Sequence, residues 1–585
     1  MLLRNPTLQK AITSALVLNL AAYPLALSAE QSPADVPAIT IRANTRLVVV
    51  DVVVTDKRGQ PVAGLKPEDF TLEENGKKQK ISVFVPPGAA NHTAAAPAGV
   101  LSNHPENVTP PGVPTVLLLD AANSAFKDQA YARAQMLKYV IGQTDTGRPM
   151  AVLTLTDRLR VLQQFTSDPR VLITAIKKMM PQEQILQGSP TRPEAHGMPE
   201  ALHGLSESAM ADSIVANDMA AANNFIEAQL EFNRERLTLI TIDAMKELAR
   251  MLGGLQGRKN VVWLTSSLPF DLIPEDRSMN DAELLADLPS VRQKTVGTNA
   301  GGSFASQQRE LHGQEIREAE SQLASAGIAI YPVDLNGLVS GMEGSSTREG
   351  SVYSDQAISS RAEDQVSSLQ SSHGTMEEVA AQTGGKAYFN QNEIKDGIAL
   401  AALDEKGSYS LGYYPENKKW DGKLRNIKLK LSQGDVQLRY RKGYFAIEPG
   451  PAKDHNYEQD VAAALAVDAP ATQISFMAQA KPTDPGKIRV LFLVDAHTLT
   501  AEDAGGNKKM NVNFYSSIWG ANGQNLGAQI IKVDKSFDGA TYQQILDRGM
   551  MVPIDMEIPA GGTELRLAVL DNKTGFIGTV SGPLK

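Results

Sequence analysis

A short run of apolar residues that ends in an aspartate constrains the fold of this chain more than any other stretch. Residues 116–119 are all Val or Leu, Asp120 follows them, and small or polar residues continue to Ser124. Such a run is typical of a buried parallel strand that opens into a loop. Further apolar residues then recur at steps of three and four, which places them on one face of a helix: Ala130, Tyr131, Ala134, Leu137, Val140 and Ile141. Open α/β sheets build ligand sites from a strand, a loop with an acid and a helix in this order.

Length and composition narrow the possible classes of protein. A chain of 585 residues is too long for one hydrophobic core, so three or four domains are expected. The formal net charge of -9 does not indicate a nucleic-acid-binding protein. The chain contains no cysteine, which excludes disulfides, a thiolate nucleophile and a cysteine zinc site.

The N-terminal residues have the pattern of a secretory signal peptide. Arg4 and Lys10 give a basic start, residues 11–27 are mostly apolar, and small residues around Ala29 offer a cleavage position. A membrane anchor helix is the alternative, but Pro24 interrupts the apolar run. No later run approaches the roughly 20 apolar residues that span a bilayer. The sequence therefore predicts a signal peptide over residues 1–29, export to the periplasm or beyond, and no transmembrane helix in the mature chain.

The pattern of strands and helices predicts an α/β doubly wound domain with all-β sandwich-like modules on either side. Strands ending near Asp120, Thr156, Thr265 and Asp334 alternate with helical segments, while β-branched runs and turn residues dominate both ends of the chain. The predicted boundaries are an N-terminal β module over 38–86, a Pro-rich linker over 87–113, the α/β domain over 114–405 with inserts at 182–235, 271–303 and 337–372, a β-hairpin extension over 406–449 and a C-terminal β module over 450–585.

Three oxygen-bearing side chains are candidate metal ligands. Asp120 and Ser124 lie in the loop after the first α/β strand, and Thr241 lies at the predicted start of a long helix near 237–252. Magnesium prefers oxygen ligands in near-octahedral geometry, which these groups could supply. The alternative is that Asp120 accepts hydrogen bonds from the loop backbone and maintains the shape of the cleft.

The order of these segments resembles a von Willebrand factor type A domain. The opening strand with Asp120, residues 151–165 (AVLTLTDRLRVLQQF) and residues 257–265 (GRKNVVWLT) are similar to that family. Residues 47–70 and 408–431 extend the similarity to a branch of exported acidobacterial proteins that are related to type A domains. The resemblance covers roughly residues 40–446.

The resemblance implies a divalent metal bound through an Asp-x-Ser-x-Ser loop, a threonine and a later aspartate. In this chain Ala122 stands at the middle serine position, and Ser266 stands near the place of the later aspartate. One carboxylate and hydroxyl groups hold a strongly hydrated cation poorly. The sequence therefore predicts no resident cofactor, with magnesium at Asp120, Ser124 and Thr241 as the alternative.

Catalytic signatures are absent from the sequence. It contains no His-Glu-x-x-His, Gly-x-Ser-x-Gly or phosphate-binding Gly-Lys-Ser/Thr motif. Asp120, Asp157 and Asp334 are predicted at strand ends, where Asp334 could approach Asp120, and His373 is predicted in a loop as a solvated side chain. An aromatic-rich segment either forms an exposed patch or packs the hairpin region onto the α/β domain: Tyr413, Tyr414, Trp420, Tyr440, Tyr444 and Phe445.

These features favour an exported, non-enzymatic binding protein of the adhesion type. Its expected partner is a protein or an extracellular-matrix or envelope component, and nucleic acid is not expected. Two alternatives remain open at this point. The chain could be a structural or assembly component of the envelope, or, less favourably, a hydrolase that uses the carboxylates at strand ends.

Overall fold

The computed structural model describes residues 47–87, 99–110, 112–142, 148–179, 213–255, 257–269, 304–336, 372–389, 394–432, 436–446 and 456–584. The predicted signal peptide, residues 182–212 of the first predicted insert, the insert at 271–303 and the insert at 337–372 except its last residue lie outside these residues. Among the described helices, none is both long and apolar enough to cross a bilayer.

A mixed five-stranded sheet forms the centre of the α/β domain. Its strands are β6 (Thr115–Asp120), β7 (Met150–Leu155), β8 (Leu159–Thr166), β9 (Lys259–Thr265) and β10 (Ile328–Asp334), in the spatial order β10-β9-β6-β7-β8. The first four strands in this order are parallel, and β8 is an antiparallel edge strand. β8 is antiparallel because a tight turn at Asp157 and Arg158 returns the chain directly, whereas a parallel strand needs a longer crossover.

Helices cover both faces of this sheet, which confirms the doubly wound α/β class. Leu118 and Trp263 point to the face that is covered by α4 (Ser213–Leu252) and α5 (Phe304–Ser325). Their neighbours along each strand, among them Leu117 and Leu264, point to the opposite face. That face is covered by α2 (Phe126–Gly142), α3 (Pro169–Lys178) and α7 (Ile394–Leu403). Because both faces are buried, the strands are continuous apolar runs rather than alternating ones.

The helix α4 is much longer than its hydrophobic pattern indicates. It begins at Ser213, so residues 213–235, which were predicted to belong to an insert, are its N-terminal half. This half is rich in Ala and Glu, which favour helix without producing an apolar stripe. Thr241 is therefore far inside a helix and not at its start.

The N-terminal β segment and the predicted hairpin extension form one two-sheet sandwich. In one sheet, β1 (Val48–Asp56) lies between β11 (Ser408–Tyr413) and β13 (Val436–Tyr440), and β4 (Ile81–Val85) completes the sheet. In the other, β2 (Phe70–Glu74) pairs with β3 (Lys77–Gln79) and β12 (Leu424–Leu431), and β14 (Gly443–Phe445) is at the edge. The almost continuous burial of β1 requires a neighbour on each side, and residues beyond 405 supply both. The α/β domain is thus inserted into this first sandwich.

Part of the predicted linker is a structural element of the C-terminal module. Residues 100–102 form β5 (Val100–Ser102), which pairs with β15 (Phe476–Pro482), and a short helix α1 (Pro105–Val108) follows. The side chain of Asn103 is fully buried and donates to the carbonyl groups of Ala471 (2.7 Å) and Ile474 (2.8 Å). The segment 99–108 therefore anchors the chain before the α/β domain begins.

The C-terminal module is a second sandwich. One sheet contains β16 (Lys487–Val494) and β20 (Met550–Glu557) beside β15 and β5. The other contains β17 (Glu502–Ala504), β18 (Asn507–Gly520), β19 (Asn525–Phe537), β21 (Gly562–Asp571) and β22 (Ile577–Pro583). The helix α8 (Tyr457–Ala466) covers the outer face of the second sheet, and α9 (Gly539–Arg548) joins β19 to β20.

Candidate functional site

The candidate site lies at the C-terminal edge of the α/β sheet, where three neighbouring strands end. The register of the parallel ladders places Asp334 beside Thr265 and Leu119 beside Leu264, so the ends of β10, β9 and β6 share one edge. Asp120 and Asp334 are separated by β9 and are therefore about 10 Å apart, two strand spacings. This is the separation of the backbones, and no hydrogen bond between described residues joins the Asp120 and Asp334 carboxylates directly.

The Asp120 carboxylate is fully buried and surrounded by hydrogen-bond donors. It accepts from the backbone N–H of Asn123 (3.0 Å), from Asn123 Nδ2 (2.9 Å to Oδ2) and from Trp263 Nε1 (3.0 Å). The hydroxyl of Thr265 lies 3.0 Å from the same Oδ2 atom. Burial raises the pKa of Asp120 above its usual range, and the donors from Asn123, Trp263 and Thr265 oppose that increase.

The other two predicted ligands are also engaged within the protein. Ser124 Oγ accepts a hydrogen bond from the backbone N–H of Ser266 at 3.0 Å. Thr241 Oγ1 donates to the carbonyl of Leu237 at 2.8 Å, one turn earlier in α4, and accepts from Asn123 Nδ2 at 3.1 Å. Each of the three side chains thus already accepts a hydrogen bond from an N–H group of the protein. A divalent cation at Asp120, Ser124 and Thr241 would have to displace these hydrogen bonds.

A polar network centred on Ser266 links Asp128 to the buried Asp334. The Ser266 hydroxyl donates to Asp128 Oδ2 (3.2 Å), and its carbonyl accepts from Asn336 Nδ2 (2.9 Å). Asn336 donates its backbone N–H to Asp334 Oδ1 (2.9 Å). Asp334 Oδ2 lies 2.9 Å from His373 Nε2. Burial raises the pKa of the half-buried Asp128 carboxyl, and the nearby Asp334 carboxylate acts in the same direction.

His373 differs from its sequence-based interpretation as a solvated loop histidine. It lies near the start of a helix over 372–383, has a side chain that is only 16% exposed, and bonds to Asp334. Its ring stacks on Phe389 with 4.5 Å between centroids. The Thr375-x-x-Glu378 capping box predicts a short helix here that begins only after His373, whereas the structure begins the helix at residue 372. Asp157, the third acid at a strand end, lies in the β7–β8 turn and pairs with Arg160 at 2.8 Å.

The apolar face of α2 that follows the site loop points to solvent. Phe126 (52% exposed), Tyr131 (37%) and Ile141 (56%) lie on this face, as do Ala130 and Ala134. The buried face instead consists of Gln129, Ala132, Gln135, Met136, Tyr139 and Val140. Most of the residues that the spacing placed on one face are thus exposed, and the exceptions are Leu137 and Val140. An apolar helix face normally packs inward.

Hydrogen bonding explains why a glutamine points inward there. Gln129 Nε2 donates to the carbonyl groups of Ala121 (3.1 Å) and Ser124 (2.9 Å) and so supports the site loop from below. Asn123 and Gln129 are among the residues important for the site geometry that the sequence reasoning missed. A loop with several buried carbonyl groups needs hydrogen-bond donors. Asparagine and glutamine residues close to the loop in sequence can supply them, and a search for such residues could have identified both Asn123 and Gln129.

The aromatic segment of the first sandwich packs mainly into the core of that sandwich, whereas the sequence suggested an exposed patch or packing onto the α/β domain. Tyr413 is fully buried and Tyr440 nearly so. The hydroxyl groups of Tyr413 and Tyr444 donate to the buried Glu74 carboxylate at 2.7 and 2.9 Å. Burial raises the pKa of both tyrosines. The segment is therefore part of the sandwich core.

No family model matches this chain, and no curated protein matches it. The solved structures to which it is similar include BatB, a conserved hypothetical protein from Bacteroides thetaiotaomicron (11% identity, 50% of this chain and 98% of that chain, TM-score 0.23). They also include the vWF domain of the type V pili tip protein Mfa5 from Porphyromonas gingivalis (10% identity, 50% and 94%, TM-score 0.23). A von Willebrand factor type A protein from Catenulispora acidiphila is a third (8% identity, 93% and 74%, TM-score 0.17). At such TM-scores the description of the fold rests on this chain's own strand order.

Proposed function

We propose that this is an exported, non-enzymatic binding protein of the adhesion type, whose type A-like domain contacts a protein partner through α2 and the adjacent sheet edge. The observation that carries the proposal is the outward apolar face of α2. Large exposed apolar side chains that lie together are uncommon on a protein surface without a partner. Aromatic residues are also the side chains that most often supply binding energy at protein interfaces.

The position of this face favours the same surface. Phe126 is the first residue of α2 and directly follows the loop that contains Asp120 and Ser124. The buried glutamine on the opposite side of the helix fixes the orientation of α2 relative to the loop. A rigid helix that presents aromatic side chains loses little conformational entropy when a partner binds.

The polar groups at the sheet edge support a binding role over a catalytic one. Asp120 and Asp334 are each saturated by donors that hold loops in place. Ser266, the serine at the centre of the network, bonds to a carboxylate and not to His373. Among the described residues at this edge, no hydrogen bond joins a hydroxyl nucleophile to a histidine base, an arrangement that activates a hydroxyl for nucleophilic catalysis.

Site-specific photo-crosslinking in intact cells of the source organism tests the proposal. The full-length chain is made with benzoylphenylalanine at Phe126 or Tyr131, and at Ile530 on β19 as a control of similar exposure in the C-terminal module. We expect one discrete adduct with another protein from positions 126 and 131 and none from 530. The double variant F126A/Y131A should weaken binding of the captured partner by about tenfold or more. Adducts of equal yield from all three positions, or none from α2, would contradict the proposal.

A further inference from the structure

We infer that the side-chain amide of Asn123 takes the place of a cation in this domain, so that the loop is held in its binding geometry without a metal. The inference concerns how the loop is stabilised, and it stands or falls independently of the partner proposed for α2. It begins from the position of one nitrogen atom. Asn123 Nδ2 lies 2.9 Å from Asp120 Oδ2 and 3.1 Å from Thr241 Oγ1.

The two hydrogens of this NH₂ group match the two oxygens that it joins. One hydrogen is directed to the Asp120 carboxylate, and the other to the Thr241 hydroxyl, whose own proton is donated to Leu237. A magnesium ion that used both oxygens would have to lie about 2.0–2.1 Å from each of them, in the space where the NH₂ group lies. The amide thus joins a strand end to the helix α4 as a shared cation would.

Other hydrogen bonds to oxygen atoms of the loop also come from neutral donors. Trp263 Nε1 donates to the same carboxylate oxygen as Asn123, and the backbone N–H of Ser266 donates to Ser124 Oγ. A buried carboxylate needs either an opposite charge or several hydrogen bonds. Here the hydrogen bonds are present, and a cation could enter only if Asn123 and Trp263 moved away.

The amide oxygen of Asn123 shows which contacts determine the orientation of this side chain. Asn123 Oδ1 is buried and has no hydrogen-bond partner among the described residues. Rotating the amide by half a turn would direct this oxygen at the Asp120 carboxylate and repel it, so the amide orientation follows from the network. The chain thus retains a buried acceptor without a donor in order to keep the NH₂ group on Asp120 and Thr241.

The test compares five forms of the full chain: wild type, D120N, N123D, N123A and N336A. Asn336 is a matched control because it lies in the same polar network but contacts Asp334 and Ser266, not Asp120. Bound Mn²⁺ is measured by electron paramagnetic resonance, and Tm is measured in EDTA and in millimolar Mn²⁺. For wild type we expect no Mn²⁺ bound at this loop and the same Tm in both solutions.

The variants should separate the amide from a merely structural asparagine. N123D places a second carboxylate beside Asp120, so its Tm in EDTA should fall by at least about 2–4 °C and should rise again when Mn²⁺ binds. N123A should lower Tm more than N336A does, and N123A supplies a folded comparison if N123D does not fold. Wild-type Mn²⁺ that is lost in D120N would overturn the inference. An N123D protein that gains nothing from Mn²⁺, or N123A with wild-type Tm, would also overturn it.

Discussion

Lys259 should make the stability of this protein increase with pH in the alkaline range. It is the first residue of β9, at the sheet edge opposite the candidate site, and it is only 3% exposed. Its ammonium donates to the Gly257 carbonyl at 2.8 Å. Burial lowers the pKa of Lys259 to about 8, and attraction to Asp51 of β1 only partly opposes this effect. The hydroxyl of Ser410 already donates to the same Asp51 carboxylate.

The direction and size of the effect follow from the two pKa values. Unfolded lysine titrates near 10.5, so between about pH 8 and 10.5 the unfolded chain binds more protons than the folded one and the free energy of unfolding rises with pH. A difference of about 2.5 pKa units corresponds to about 3 kcal/mol in full. About 2 kcal/mol of this gain falls between pH 7.5 and pH 10.

The assay is urea unfolding of wild type and K259M at several pH values in this window. Other groups titrate almost equally in both proteins, so the difference between their free energies of unfolding isolates Lys259. As pH increases from about 7.5 to about 10, we expect the free energy of unfolding of wild type to increase by about 2 kcal/mol relative to that of K259M. A difference that does not change with pH, or that changes in the opposite direction, would mean that the ammonium is not desolvated in the folded state.

Two further predictions concern the junctions between modules. N103A removes two donated hydrogen bonds and the acceptor for the Phe476 N–H (2.8 Å). It should therefore lower the free energy of unfolding by about 2 kcal/mol or more in denaturant titrations and expose residues 99–108 to protease. Unchanged protease sensitivity would contradict this role. A Cβ atom on Gly254, just after α4, would lie 1.8 Å from the Thr472 carbonyl oxygen of the C-terminal module. G254A should therefore lower the free energy of unfolding by about 1–3 kcal/mol in thermal unfolding. G142A, at an open position, should lower it far less in the same assay.

The central sheet could be predicted from sequence because its signal is local. Residues 116–119, 261–264 and 328–333 are continuous apolar runs, and each of them lies in a buried strand. The pairing of β1 could not be predicted in the same way. The two strands that pair with β1 begin at Ser408 and Val436. No local sequence pattern indicates which distant strand will form backbone hydrogen bonds with a given edge of β1.

The candidate site shows a similar division. The location of Asp120 at a strand end follows from the apolar run before it. The roles of Asn123 and Gln129 depend on the conformation of the loop, because this conformation decides which buried oxygens lack donors. The α2 pattern was misleading for the same reason: two glutamines occupy the inward face, where Gln129 bonds loop carbonyls, and the apolar residues are left outside.

The interleaved first sandwich has a consequence for the order in which the chain can fold during synthesis. β1 is among the first strands to be made, yet it pairs with Tyr409 and Tyr440 through Val52, more than 350 residues later. Contacts so distant in sequence form slowly, and an unpaired apolar strand is prone to aggregation until they form. The inserted α/β domain can complete its own sheet first and bring residues 408–445 towards the waiting strand. β1 is thus made early and buried late, which makes it the part of this chain with the greatest need for a chaperone.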